Sequence, residues 1–288
     1  MLTYNKPTTV DEAIVLLQQP QPAARVLAGG TDLLVQLRSG RLAAQGLVDL
    51  KRIPELRALR AEQGGFRIGA AVSGAELGEH AALKAMWPGV VEAANLIGST
   101  QIQGRASLGG NLCNASPAAD SVPALIAAGA RCTIAGPSGR REVPVETVVT
   151  GPGKTSLAPG EFVVDFLLPA QAPRGGDAYL RFIPRTEMDI AVVGVSVNLT
   201  LDDAGLCTAA RLAVGAVAPT ARLVEAAGTS LVGTAVDEAA LAAMMAAVRA
   251  ACAPINDKRG TIEFRTHVAG VLAGRAARIA LDRARMRT

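Results

Sequence analysis

Two short glycine turns constrain this chain more than any other feature: "AGGTDLL" at Ala28–Leu34 and "SLGGN" at Ser107–Asn111. Each follows apolar residues and opens toward a helix or a polar turn. Adjacent glycines carry no Cβ, so successive N–H groups can point one way and an anionic oxygen can approach the backbone. A helix capped at Thr31 would add a favourable field of about 0.3–1 kcal/mol. A lone Gly-Gly is usually only a turn. As a pair, followed by Asn111, Ser116 and Asp120, the two turns make a candidate site that suits a diphosphate better than a single phosphate.

The chemistry available elsewhere is sparse. Histidine occurs only at His80 and His267, and Cys113, Cys132, Cys207 and Cys252 stand far apart with no C-x-x-C. A zinc or iron–sulfur centre needs clustered ligands, so no metal is expected on this chain. Two remote histidines also give no Ser-His-Asp or Cys-His arrangement, which leaves redox or transfer chemistry to a bound organic cofactor. Net charge is +4, but the aromatics number only five Phe, two Tyr and one Trp, none within a basic cluster. Nucleic acid is therefore not an expected partner, because bases need stacking faces as well as cations. No apolar run reaches the ~18–20 residues of a membrane helix, and no signal peptide is visible. A cytoplasmic location with no membrane span is expected.

Hydrophobic periodicity predicts a helix over Val10–Leu17, capped by Thr8 or Thr9 and stopping near Pro20. Strands are expected at "ARVLAGG", "GLVDL", "FRIGAAV", "RCTIAG", "REVPV" and "EFVVDFLLP". Helices are expected at Thr31–Gly40, from Gly74, over Trp87–Ile97, and from Pro117 to Gly129. The Pro/Gly-rich run from Pro169 to Ala178 reads as a linker between domains. Beyond it, "IAVVGVSVNLTL" and "CTAARLAVGAVA" read as strands pairing antiparallel across "DDAG", followed by helices at Glu238–Ala251 and Ile262–Arg285. Short strands alternating with helices point to α/β or α+β layering.

Three familiar motifs fail. G-x-G-x-x-G follows no predicted strand. "GPGKTS" lacks a Walker loop because Val148 stands where glycine is required, so Lys154 reads as part of a solvated loop. "NAS" and "NLT" match the glycosylation sequon, which a cytosolic chain never presents to that machinery.

The two turns sit in longer motifs, "LAGGTDLL" and "QIQGRASLGGNLCNASPAAD". With these the chain resembles the flavin-binding medium subunits of the molybdenum hydroxylases, the xanthine dehydrogenase and carbon monoxide dehydrogenase family, over nearly its whole length. The family's motifs read A-G-G-(T/H)-(D/S)-L and Q-I-R-N-R-G-T-I-G-G-N-L-x-N-(A/G)-S-P-x-(A/S)-D. Here Gln103 and Gly104 replace Arg-Asn, Ala106 replaces a glycine, and Ser107 replaces a threonine while keeping its hydroxyl. The loss of charge at Gln103 puts any interface or redox-tuning role of that Arg in doubt.

The resemblance implies an α+β chain. Residues 1–172 would form a two-subdomain FAD-binding fold of the vanillyl-alcohol-oxidase/p-cresol-methylhydroxylase type, with subdomains at about 1–55 and 56–172. Residues 178–288 would form a C-terminal α+β domain, an antiparallel sheet with helices. Val26, Leu27, Ala28, Gly29, Gly30, Thr31, Asp32 and Leu33 would hold the diphosphate of a non-covalent FAD. Ser107, Leu108, Gly109, Gly110 and Asn111 would meet it from the other subdomain, with Ser116 following. Asp120 would accept from ribose hydroxyls, Val163 would lie by the adenine, and Ile97 and Arg181 would approach the flavin. Cys113, expected to be buried, would form no bond to it. "PRTEMDIA" resembles a segment that returns toward the ring, or is a tight turn in which Asp189 caps the next strand.

The family further implies a large partner subunit with a molybdopterin-type cofactor, a small partner with two [2Fe–2S] clusters, and a dimer of heterotrimers. FAD on this chain would collect electrons and deliver them to NAD+, oxygen or a quinone. Two other readings remain open: a stand-alone flavin oxidase of the vanillyl-alcohol-oxidase type, and a non-enzymatic module binding another diphosphate.

Overall fold

The computed structural model describes residues 2–18, 24–185 and 188–287. The part of the "PRTEMDIA" segment at 186–187 and the helix stop near Pro20 lie outside the described residues. Near the N-terminus, β1 (Thr3–Asn5), β2 (Ala24–Leu27) and β3 (Gly46–Asp49) form a parallel sheet in the order β1-β3-β2. All four residues of the middle strand are buried, as a parallel strand covered on both faces should be. The Val10–Gln18 helix buries Val10 and Ala13. Its first turn is closed by Thr9, whose Oγ accepts from the Glu12 amide at 3.1 Å, while the Glu12 carboxylate accepts from the Thr8 amide at 2.7 Å.

A second sheet is antiparallel: β4 (Leu59–Glu62), β5 (Gly65–Gly69), β6 (Arg131–Gly136) and β7 (Gly139–Pro144) are joined by β10 (Phe162–Leu168), after the small ribbon β8 (Val149–Gly151) and β9 (Lys154–Thr155). The order β4-β5-β10-β6-β7 puts β10 in the centre. Phe66, Ile68, Ile134 and Phe166 from this sheet pack with Trp87, Leu125 and Ile126 in one core. Asp165 is buried within β10, and Arg67 neutralises it at 2.7 Å.

The third sheet runs β11 (Gly175–Phe182), β12 (Val193–Leu201), β13 (Cys207–Gly215) and β14 (Arg222–Leu223), all antiparallel, with the Glu238–Ala251 and Ile262–Met286 helices on one face. The β12–β13 pair turns across "DDAG" as the sequence predicts. β11 lies close to the last helix because Gly176 has no side chain; a Cβ there would stand 2.1 Å from the Ala280 carbonyl.

Several expectations are corrected. Gly175–Ala178 belong to β11, so the linker is shorter than its composition suggests. Gly176, which reads as a loop residue, serves strand–helix contact instead. The helix expected from Pro117 begins at Ser121, after a turn in which Ala115 takes φ 51°. The segment from Trp87 is helical over Pro88–Asn95, with Trp87 as its N-cap. "FRIGAAV" ends as a strand at Gly69, and "ARVLAGG" at Leu27. Lys154 lies in β9 rather than in a loop. Among the described residues, no helix is long and apolar enough to cross a membrane, and no group of three or more His, Cys, Asp or Glu side chains could hold a metal ion.

Candidate functional site: a cleft between the two N-terminal sheets

β2 ends at Leu27 and β3 ends beside it at Asp49, so the chain leaves the sheet at the carboxyl edge of parallel strands. There it makes the first glycine turn, with Gly30 at φ 84°. Residues that need side chains rarely adopt that conformation. A helix follows over Leu33–Arg38. Its N-cap is Asp32 rather than Thr31, and no side chain closes it. The amides of Gly29, Gly30, Thr31 and Asp32 have no acceptor among the described residues. Leu34 begins the helical ladder by donating to the Gly30 carbonyl at 3.1 Å.

The second turn is built differently. "SLGGN" is not an open loop but the start of a helix, Leu108–Cys113, capped by Ser107. Gly109 donates to the Ala70 carbonyl at 3.1 Å and Gly110 to the Ser107 Oγ at 3.2 Å. The glycines also let the turns pack. A Cβ on Gly29 would lie 1.9 Å from the Arg105 carbonyl oxygen, and one on Gly109 would lie 2.6 Å from the Ala70 oxygen. These two are glycines because backbone meets backbone, a constraint the phosphate argument alone does not contain.

Both turns face one cleft of about 1000 Å³. Of the expected site residues it is lined by Val26, Ala28, Gly29, Gly30, Thr31, Asp32 and Leu33 on one side, Ser107, Gly109, Gly110 and Asn111 on the other, and Ile97 and Val163 beyond them. Leu27 and Leu108 turn into the core. Ser116 accepts from the Ala118 amide at 3.2 Å and does not line the cleft.

Asp120 and Arg181 are not part of the lining either. They meet each other at 2.9 Å, and the Tyr179 hydroxyl donates to the second Asp120 oxygen at 3.0 Å. Burial pushes the Asp120 carboxyl up to about 6, against Arg181 and Tyr179, which favour its charge. This triad joins the second sheet's layer to β11 and engages both Asp120 oxygens away from the cleft lining. Cys113, expected to be buried, is exposed and lines the cleft.

Other lining residues carried no motif. Gln36 donates from Nε2 to the Asn114 Oδ1 at 2.9 Å, tying the helix after the first turn to the end of the helix after the second. Asn111 accepts at Oδ1 from the Ser121 amide and hydroxyl, at 3.1 and 2.7 Å. Arg25, Thr155 and Glu161 also border the space. Arg25 and Glu161 have only their position near the ends of predicted strands as a sequence signal, and Thr155 has none.

The arrangement fits a nucleotide diphosphate: a run of unpaired amides forms an anion cradle, and the cleft is at the upper end of the roughly 300–1,000 Å³ of small-molecule sites. Comparisons with known proteins agree. Residues 1–171 match the family described as the FAD binding domain in molybdopterin dehydrogenase, and residues 178–280 match the CO dehydrogenase flavoprotein C-terminal domain. The xanthine dehydrogenase FAD-binding subunit of Escherichia coli O157:H7 is 35% identical, over 92% of this chain and 91% of that protein. The carbon monoxide dehydrogenase medium chain of Hydrogenophaga pseudoflava is 34% identical, over 97% of each chain.

Among solved structures, a carbon monoxide dehydrogenase from Hydrogenophaga pseudoflava superposes with a TM-score of 0.94 at 35% identity, covering 98% of both chains. Quinoline 2-oxidoreductase from Pseudomonas putida 86 gives 0.91 at 27% identity, covering 99% of this chain and 98% of that one. With the glycine cleft and the three-sheet fold in place, the chain belongs to the FAD-binding flavoprotein subunits of the molybdenum hydroxylases. It is an electron-transfer oxidoreductase subunit.

Proposed function

We propose that this chain binds FAD non-covalently in the glycine cleft and, in the cytoplasm, passes electrons from the [2Fe–2S] clusters of a small partner subunit to NAD+, oxygen or a quinone. Substrate oxidation would belong to a large partner subunit carrying a molybdenum–pterin cofactor. The three chains would assemble as a heterotrimer that pairs with a second copy. In this reading residues 1–172 hold the cofactor and residues 178–288 cover it.

The observation that carries the proposal is the unpaired amide run from Gly29 to Asp32, facing Ser107–Asn111 across one cleft. When bound, FAD supplies a centre that takes up and releases electrons singly or in pairs. The chain's own residues bind and orient it. Amides 29–32 and the Thr31 hydroxyl donate toward the diphosphate. Val26, Ile97 and Val163 give apolar walls to the planar groups. Leu27, Leu108, Ser116, Asp120 and Arg181 act behind the cleft, by packing or by joining domains. No histidine lines the space, which supports a cofactor that leaves intact on acid precipitation.

The test is titration of the purified apo-chain with FAD. Saturable uptake of one FAD per chain, released by trichloroacetic acid, is expected. Failure to take up FAD, alone or with partner subunits, overturns the reading.

A further inference from the structure

The Gly29–Gly30 turn poses a mechanical problem. A glycine pair offers little resistance to rotation of its peptide planes, so a cradle built on it needs an outside anchor. Lys51 supplies one from behind the cleft. Its Nζ donates to the Ala28 carbonyl at 2.6 Å and to Asp49 Oδ1 at 2.6 Å. Asp49 is buried, caps the turn at Leu50–Arg52 through the Lys51 amide at 3.1 Å, and accepts from the Tyr4 hydroxyl at 2.5 Å. Burial alone would raise the Asp49 carboxyl, but the bonds from Lys51 and Tyr4 hold it below the usual range.

We infer that Lys51 is a positioning residue that fixes the cradle by holding the peptide between Ala28 and Gly29. In a trans peptide the C=O and N–H point opposite ways. With the Ala28 carbonyl pinned on the Lys51 ammonium, the Gly29 amide faces away from Lys51. That amide has no acceptor among the described residues, and Gly29 borders the cleft. Lys51 itself is not part of the lining, so it acts through the peptide plane and not by touching the ligand. Asp49 neutralises the ammonium, and Tyr4 holds Asp49 from β1. The anchor thus reaches across all three strands of the first sheet.

The inference rests on the cleft's binding FAD, and the experiment separates the two claims. Full-length wild type, Lys51→Met and Tyr4→Phe are titrated with FAD by flavin fluorescence quenching, with apo melting temperatures and 31P spectra of the bound diphosphate recorded alongside. Lys51→Met should weaken FAD binding about 10- to 100-fold, the effect of one misdirected hydrogen bond to a charged group. Because it leaves the buried Asp49 carboxylate without its cation, its apo melting temperature should fall, and the 31P resonances at saturating FAD should shift. Tyr4→Phe, which leaves Lys51 in place, should weaken binding about 2- to 10-fold in the same direction. It remains informative if Lys51→Met fails to fold. Wild-type affinity in the variants, or unshifted 31P resonances at saturating FAD, overturns the inference. Absence of FAD binding by wild type instead overturns the functional reading.

Discussion

Two Gly→Ala substitutions in the same cleft should fail for different reasons. At Gly29 a methyl would sit 1.9 Å from the Arg105 carbonyl oxygen and 2.6 Å from its carbon, both of them backbone atoms. Ordinary contact begins near 3.4 Å, so the two turns must separate by more than 1 Å. Overpacking on that scale costs about 1–3 kcal/mol. For a chain of this size each kcal/mol lowers the melting temperature by about 2–4 °C, so Gly29→Ala should melt about 2–12 °C below wild type even without cofactor. At Gly110 the one neighbour a methyl would meet among the described residues is the Ser107 Oγ, at 3.3 Å, which a shift of about a few tenths of an ångström relieves without breaking the cap. Gly110→Ala should therefore leave the apo melting temperature within about 1–2 °C of wild type, as a small, accommodated substitution does. A methyl pushed against the ligand should still weaken FAD binding by about 5- to 150-fold, from the same 1–3 kcal/mol. Differential scanning fluorimetry of the apo proteins and FAD titration of each read the two effects separately. An apo melting temperature for Gly29→Ala equal to wild type would refute the backbone-contact argument. Wild-type affinity in Gly110→Ala would refute the placement of the diphosphate against the second turn.

Three further outcomes are expected. Burial pushes the Asp177 carboxyl up to about 7, with Arg283 and Arg287 favouring its charge and Glu92 opposing it. Because this pKa is raised on folding, its stabilising contribution is whole below about pH 4 and is lost as pH rises through 7. Asp177→Asn should thus gain up to roughly 4 kcal/mol over wild type between pH 4 and pH 8 in urea melts, and a pH-independent difference refutes the assignment. Removing Arg181 as Arg181→Met strands the buried Asp120 carboxylate and should cost about 3–5 kcal/mol at pH 8, less below pH 6 where Asp120 takes up a proton, without changing FAD affinity. Gln36→Leu cuts the tie to Asn114 and should weaken FAD binding about 2- to 10-fold in a titration, because the helices behind the two turns lose a shared hydrogen bond.

The twin turns were legible because part of what they require is local: a glycine at positive φ at Gly30, a hydroxyl at the start of the second helix, an amide side chain one turn later. The N-terminal strands are readable from their apolar runs, whereas Ser107 read as a turn hydroxyl and its capping of Leu108–Cys113 came only with the fold. What escaped was non-local. Gly175 and Gly176 read as linker because nothing in "RGGDA" reveals that the Ala280 carbonyl lies over one of them. Asp120 read as a free acceptor because Tyr179 and Arg181 arrive from a strand about sixty residues later. Lys51 carried no signal at all, since a lysine in "LKRIPEL" is most simply a solvated one. The same division explains the site's design. In the proposed function, residues that meet the diphosphate would present backbone, so they are small and motif-like, and a sequence shows them. Residues that hold that backbone still need only reach one carbonyl or one carboxylate, and many side chains from many positions can do so. The cradle is thus written in the motif, while its rigidity is written in contacts such as Lys51 to Ala28 that only the fold brings together.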